Sequence, residues 1–445
     1  MKDEVMASAA EGIEKREKSN ARAGLAYRAL IVFSFLYYAR PEDVIPGLSY
    51  IPWAKISGGI ALLALIARLA GGKLKTKFSL ELKVLLLLYA HLIVCIPFAV
   101  WRGGAFAQVF EKFSKEVITA ALVSLIVLDL LQLRRLLLIQ AASVAAMTVV
   151  SVIIHPGGAR LQGALGGIFE NPNDLAVNIA INFPLCLTFL FASRGIVKKG
   201  FWAIGLLAMP YAVVATYSRS GLMAMIVSVL ICLWEFGIRG KRFYVLLLSG
   251  ILGILGLGVA ISTPHYATRI QSLFSGNIEG SADKGSLEAR KELLRQSIQL
   301  TLQHPVFGVG AGNFPVATEA WRVAHNTYTE LSAEGGFPAL ILFLTFLVLA
   351  FRNVRRVRKT SRYREDEQIQ LFASAMWASL AAYVVGAMFS STEYQLFPYF
   401  MVAYTSVLYR ITTASESAID DRQRFEPGWQ QRAYAAQKPE LVWNR

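Results

Sequence analysis

Twelve apolar runs, most of them close to the length that crosses a bilayer, recur along this 445-residue chain, at 23–39, 54–71, 84–101, 117–131, 136–154, 174–193, 201–217, 221–237, 243–262, 337–351, 370–389 and 395–410. About 20 apolar residues at ~1.5 Å each match a hydrocarbon layer of ~30 Å. In that layer every backbone N–H and C=O needs an internal partner, which leaves helices or closed barrels. The runs are continuous rather than alternating, so they read as helices. A soluble core would explain one such run, not twelve, and 55% hydrophobic residues with a mean hydropathy of +0.46 agree. The expected fold is therefore all-α, a polytopic integral membrane protein of about 12 transmembrane helices, with the first run interrupted by Arg28.

Charge then sets orientation. The net charge of +15 could suggest nucleic acid, but Lys and Arg cluster in short loops between runs, as the positive-inside rule requires, so membrane lipids and not nucleic acid are the expected partner. With the N-terminus in the cytoplasm, the inner segments and their flanks hold 32 of the 45 basic residues. This puts the long loop at 263–336 outside and returns the chain to the cytoplasm at its end. The organisation that follows is an N-terminal cytoplasmic segment at 1–27, without the features of a cleaved signal peptide, a membrane domain at 28–410, and a partly disordered tail at 411–445. Cys95, Cys186 and Cys232 all fall within apolar runs and point to neither disulfides nor a metal site. Gly250, Gly253, Gly256 and Gly258 suit close helix packing. Ionisable groups within spans are few, His91 and Asp129 among them, and no internal repeat is visible, which weighs against a transporter of duplicated halves.

The polar groups worth attention lie in the outer loops. The stretch 304–338 is turn-rich, with Gly308, Gly310, Gly312, Pro315 and Gly335-Gly336-Phe337-Pro338, and holds Arg322, His325, Asn326, Tyr328, Glu330 and Glu334 between two spans. The loop before the sixth run combines Arg160 with Asn171-Pro172-Asn173-Asp174, where Asn173 or Asp174 is placed to cap the next helix. In the short outer turn TYSRSG, Arg219 stands among Ser218, Ser220 and Gly221, on the side where basic residues are disfavoured. Residues 286–303 read as an amphipathic helix whose apolar stripe, Leu287, Leu294, Ile298 and Leu302, also contains Arg290; a salt bridge to Glu288 or Glu292 is its ordinary explanation. Guanidinium groups converging at a membrane edge suit a lipid-linked diphosphate, because planar forks bind phosphate oxygens bidentately. No spaced carboxylate pair appears outside, Glu42 and Asp43 being adjacent, so neither metal nor cofactor is expected.

Four segments in this order, GGIFENPNDLA (166–176), ATYSRSG (215–221), ARKELLRQSIQLTLQHPVFGVGAGNF (289–314) and AHNTYTELSAEGGFPALILF (324–343), resemble the O-antigen ligase and O-antigen polymerase superfamily of bacterial envelope enzymes. The resemblance covers roughly 160–410. It implies a metal-independent glycosyltransferase of the inner membrane that moves a glycan from an undecaprenyl-diphosphate-linked donor to a glycan, lipid or protein hydroxyl on the periplasmic face. It further implies that Arg219 and Arg290 hold the diphosphate and that His325 activates the acceptor; the polar residues of the same outer segments, Arg160, Asn171, Asn173, Ser218, Ser220, Arg322, Asn326 and Tyr328, are the candidate substrate-binding residues. Ligase and polymerase both fit. A flippase of lipid-linked sugars would need polar residues lining a path through the bilayer, and a scaffold would leave the loop's Arg and His without a role.

The orientation makes a direct prediction. A cysteine introduced at Ala282 should react with a membrane-impermeant maleimide in intact spheroplasts, whereas one introduced into the basic run at 352–364 should react only after permeabilisation. The opposite pattern would invert the topology.

Overall fold

The structure, a computed structural model, describes residues 24–39, 41, 50–71, 78–154, 160–163, 171–243 and 281–425, with side chains not described at 281–287 and 415–425. The segment before residue 24, the Glu42-Asp43 pair, the glycine series at 250–258, the run at 243–262 from residue 244 on, the start of the long loop and the tail beyond 425 lie outside the described residues. Among those described, every regular element is helical.

In chain order the longer helices are α1 (Gly24–Ala39), α2 (Trp53–Ala70), α3 (Leu80–Cys95) and α4, which begins at Arg102–Ala107 and passes through a π-helical segment, Gln108–Phe113, into Ser114–Ile126. Then come α5 (Leu130–Ile154), α6 (Pro172–Ala192), α7 (Ile196–Ala215) and α8 (Arg219–Cys232, with a π-helical end at Leu233–Arg239). The loop helix α9 (Ser281–Gln303) precedes α10 (Thr327–Val357), α11 (Glu367–Gly386) and α12 (Leu396–Phe425). Eight described helices are long and apolar enough to cross a membrane: α2, α3 with its 3₁₀ extension to Phe98, α5, α6, α7, α8 with its π-helical end, α10 and α11. Of the remaining expected spans, α1 is shorter, α4 carries Glu111, Lys112, Lys115 and Glu116, and α12 carries Arg410 and continues to Phe425, past the boundary that hydropathy placed at 410.

Helices α6, α8 and α11 pack together at the centre of the bundle. Small residues set how closely: a Cβ on Gly221 would lie 2.1 Å from Cβ of Ala176, and one on Gly386 would lie 2.9 Å from Cγ1 of Val177. Between helices in a membrane there is little hydrophobic drive, so close van der Waals approach of this kind does the holding. Several polar side chains inside bond across helices. Glu81 of α3 accepts from Asn353 of α10 (2.8 Å) and Ser406 of α12 (3.1 Å), and Gln140 of α5 donates to Asn182 of α6 (2.9 Å). Cys95, Cys186 and Cys232 are buried free thiols.

The two ends of the bundle differ. At one, Glu235 pairs with Arg358 (3.0 Å) and Arg239 (3.7 Å), Arg242 pairs with Glu367, and the guanidinium of Arg358 lies 4.9 Å over the Trp377 ring. The other end is built around a break in α10. Gly336 has φ 72° and ψ −178°, so the helix divides into an outer piece, 327–335, and the long span that follows. The break frees carbonyls, and the turn-rich stretch after α9 takes them up: Val309 N–H donates to Ala333 O (2.8 Å) and Gly310 N–H to Glu334 O (2.9 Å), while Phe337 N–H donates to Pro305 O (2.8 Å). His91, placed within a span by the sequence, donates its Nε2–H to Gly335 O at 2.7 Å and so caps a freed carbonyl. Non-helical backbone near a membrane is tolerated where it is satisfied in this way.

Glycine is obligatory at that junction. Gly308 has φ +63° and a Cβ there would sit 2.2 Å from the carbonyl carbon of Glu334; at Gly336, φ +72°, it would sit 2.4 Å from Val306 O. Gly336→Ala should cost about 1–3 kcal/mol of stability from strain and overlap together. A lower thermal midpoint in detergent for Gly336→Ala, with no loss for Gly200→Ala, whose new methyl meets nothing within 4 Å, would bear this out.

Candidate active site

Three helix beginnings meet at the broken end. Helix α6 starts at Pro172, whose ring occupies the first helical position, and Asn171 is its cap, accepting from Asn173 N–H at 2.9 Å. This corrects the expectation that Asn173 or Asp174 caps α6: proline at the first helical position leaves the preceding residue as the cap. Asn173 instead accepts from Arg160 (3.1 Å), and Asp174 lies beside Ser390 and Gln395 of the α11–α12 loop. Helix α8 starts at Arg219, capped by Ser218, whose Oγ accepts from Gly221 N–H (3.2 Å) and lies 2.9 Å from the Ser220 hydroxyl; both serines are buried. Arg160 ties the two starts together, its Nε donating to Thr216 O at 2.9 Å. Helix α10 starts after His325, with Asn326 as cap accepting from Tyr328 and Thr329 N–H. The Tyr328 hydroxyl donates to Val384 O (2.9 Å) and fastens α10 to α11. Asn171, Ser218, Ser220, Asn326 and Tyr328 are thus occupied in shaping the three helix starts.

Helix α9 lies against the outer piece of α10 through the face beside its apolar stripe. Leu294, Ile298 and Leu302 are exposed, and the buried side carries Leu293, Ser297 and Thr301. The small hydroxyl residues allow close approach: Ser297 and Thr301 turn their hydroxyls back onto helix carbonyls, and Thr301 Oγ1 lies 2.9 Å from Ser332 Oγ. A second, small core of Leu293, Phe314, Ala324 and Ala333 fills the space beneath. Arg290, one turn before Leu293, shares this inner face. The ordinary alternative for Arg290, a salt bridge to Glu292, is not formed, because Glu292 gives both carboxylate oxygens to Arg295 (2.7 and 2.9 Å). The helix points its arginine at the bundle rather than at its own sequence.

There Arg290 meets Arg219. Burial, and after it the charge of Arg219, lower the Arg290 guanidinium below its ordinary value, though an arginine stays protonated throughout the physiological range. His325 is part of the same group: burial, then Arg290, then Arg322, push its imidazole down to about 4. The influences on Arg290 and His325 are all burial or positive charge. The three residues expected to carry chemistry are therefore brought together, with Arg322 beside them and Arg160 at the neighbouring helix starts. Like charges gathered in a half-buried place repel, and an anion bound among them relieves that repulsion.

Backbone strain marks the same region. Five described residues other than glycine have positive φ, and four of them, Tyr217, Glu319, Trp321 and His325, precede Arg219 or lie in the turn that carries His325. A left-handed histidine costs on the order of 1–2 kcal/mol and persists only where neighbours enforce it. Here the neighbours are Glu330, whose Oε2 accepts from Ala324 N–H (2.9 Å) and from the Ser391 hydroxyl, and Ser391 itself, whose Oγ accepts from His325 N–H (3.1 Å). Beneath them Glu334 holds the glycine turn, accepting from Gly312 N–H (2.7 Å), Phe314 N–H (3.0 Å) and the Tyr394 hydroxyl (2.8 Å). Glu393 is buried beside Glu330 and Glu334, and burial followed by those two acids raises its carboxyl well above the ordinary range. Ser391 was not singled out by the sequence, although the polar run SSTEYQ between two apolar runs was a signal for this loop.

With this geometry in view, comparison with known proteins is decisive for one stretch: residues 204–344 match the family described as O-Antigen ligase. This likeness supports the O-antigen ligase and polymerase superfamily. The matched stretch contains Arg219, Arg290, Arg322 and His325, and the superfamily consists of membrane enzymes that transfer glycosyl groups. No curated protein matches the chain.

The histidine yields a test of the site that needs no substrate. Diethyl pyrocarbonate attacks neutral imidazole, so its pH dependence at His325, read by mass spectrometry, should show a midpoint near 4, and Arg322→Gln should move it up toward the ordinary 6.5. The same shift makes the fold lose stability as pH falls from 6.5 toward 4, where the unfolded chain takes a proton that the folded site refuses. A wild-type midpoint at 6.5 would mean that His325 is neither buried nor beside the arginines as the geometry has it.

Proposed function

We propose that this chain is a metal-independent glycosyltransferase of the bacterial inner membrane, transferring a glycan from an undecaprenyl-diphosphate carrier to a hydroxyl acceptor on the periplasmic face, as an O-antigen ligase does. The observation that carries the reading is the convergence of Arg219 from α8 and Arg290 from α9 on a histidine kept neutral. The two guanidiniums bind the donor's diphosphate, aided by the N-terminal ends of α6 and α8, which favour an anion. The acceptor hydroxyl attacks the anomeric carbon, the bond from that carbon to the phosphate oxygen breaks, and undecaprenyl diphosphate departs with its charge held by the arginines. His325, neutral at physiological pH, takes the hydroxyl proton as the new glycosidic bond forms. Arg160, Asn173 and Arg322 border the space left for the sugars, while the capping residues keep the helix starts in place. The lipid tail lies between spans, and the basic end of the bundle, rich in Arg355, Arg356 and Arg358, faces the cytoplasm. With a growing polysaccharide as acceptor the same site would act as a polymerase, and parallel assays with a lipid-anchored core and a polysaccharide repeat as acceptors separate the two.

Reconstitution with a lipid-diphosphate glycan tests the assignment. Arg219→Lys and Arg290→Lys keep the charge but lose the fork, so each should lower transfer roughly 10- to 100-fold, the loss of one charge-assisted hydrogen bond at about 1.5–3 kcal/mol. His325→Ala should leave donor binding in place and slow transfer by roughly 10²–10⁴-fold. EDTA should have no effect. Full activity in either Lys variant, normal turnover in a folded His325→Ala protein, or inactivation by EDTA would each count against the reading.

A further inference from the structure

His325 sits in an unusual backbone turn, and the groups that enforce the turn come from two other parts of the chain. Glu330 is one turn into α10. Its carboxylate reaches back past the Asn326 cap to Ala324 N–H and across to the Ser391 hydroxyl, and Ser391, in the α11–α12 loop, accepts from His325 N–H. Two consecutive backbone N–H groups, one directly and one through a serine, are thus drawn to a single buried carboxylate. The rest of the pocket wall is anchored independently: Thr327 Oγ1 donates to Ser390 O (2.7 Å) and Thr392 N–H donates to Thr327 Oγ1 (2.9 Å), so the loop stays on α10 without the Ser391 contact. Ser391 is half-buried at the rim of this contact, and its bonds go to Glu330 and to the backbone of His325.

We infer that Glu330 and Ser391 are positioning residues for His325: the buried carboxyl group, acting partly through the serine hydroxyl, holds the His325 backbone left-handed and so aims the imidazole into the arginine cluster. The inference rests on the assignment of His325 to proton transfer only for its effect on rate; its effect on the histidine itself is independent of that assignment. Neither residue reaches a substrate atom in this account. Without the bond from Ser391 the His325 φ angle relaxes toward negative values, as for any L-residue with a choice, and the ring swings away from its site. The charged and titratable groups around that turn are Arg290 from α9, Arg322 from its own loop, Glu330 and Glu334 from α10, and Glu393 from the α11–α12 loop. Displacing the ring takes it away from Arg290 and out of its buried place.

The experiment compares Ser391→Ala with Ser391→Thr in the full-length purified protein, with Glu330→Met as a second variant and the thermal midpoint as the control for folding. Two readouts are taken: the pH midpoint of diethyl pyrocarbonate modification at His325, and transfer in the reconstituted system. Ser391→Ala should raise the midpoint from near 4 toward 6.5 and lower kcat about 10- to 100-fold with donor KM little changed, and Ser391→Thr, which keeps the hydroxyl, should restore both. In a His325→Ala background Ser391→Ala should cause no further loss, the signature of two residues acting as one unit. A folded Ser391→Ala protein with an unmoved midpoint overturns the inference, and so does an additive loss in the double variant. If Ser391→Ala does not fold, an unmoved midpoint in Glu330→Met, which removes the accepting oxygen, overturns it equally. A midpoint that moves while His325→Ala retains normal transfer upholds the positioning and removes the catalytic assignment of His325 instead.

Discussion

The break at Gly336 is what the outer end of this molecule depends on. A continuous helix through 327–357 would satisfy its own backbone and present a smooth surface to whatever lay beside it. Interrupting it frees the carbonyls of Ala333, Glu334 and Gly335, and each becomes an acceptor that must be met. Two are met by the glycine-rich turn after α9, and one by His91 from α3. The turn is held a second time by the Glu334 carboxylate, so one residue contributes both its main-chain and side-chain oxygens to the same junction. The long loop is in this way bonded to the bundle at fixed points, and α9, which leads into the turn, inherits a defined place against the outer piece of α10.

Electrostatics at the site follow from that placement. A neutral imidazole beside guanidinium groups is a stable arrangement, because each arginine raises the cost of the protonated form and burial raises it further. The opposite choice, a carboxylate among the arginines, would neutralise them and leave little for an anionic ligand. The acids of this region are instead one layer deeper: Glu330, Glu334 and Glu393 meet backbone N–H groups, hydroxyls and one another. Positive charge faces the opening, and the carboxyl groups serve the framework beneath it.

Much of this was legible in the residues. Long uninterrupted apolar runs marked the helices because a membrane leaves the backbone few alternatives, and Arg219, Arg290 and His325 stood out because each interrupts an apolar or disfavoured setting. What failed is equally physical. In α9 the apolar stripe marked only the outward face, Leu294, Ile298 and Leu302, and gave no sign that the side packed on α10 is made of Ser297 and Thr301 with Leu293. The cap of α6 was misplaced although Pro172 already pointed to Asn171. Ser391 and Glu330 could not be joined to His325 by any local pattern, since their link runs through a loop distant in sequence and exists only in the folded chain.

The closest approach in the bundle, Gly221 against Ala176, has a further consequence. It locks the first turns of α6 and α8 together at a point where not even a methyl group fits, and Arg160 straps the same two turns from above. Arg219 therefore belongs to a fixed jaw that cannot shift without parting two central helices. Arg290 and His325 are mounted differently, on a helix and a turn held by hydrogen bonds and a core of a few side chains. Any adjustment at this end of the bundle falls to this second jaw, so that sequence variation can accumulate there while the arginine of the first jaw stays as it is.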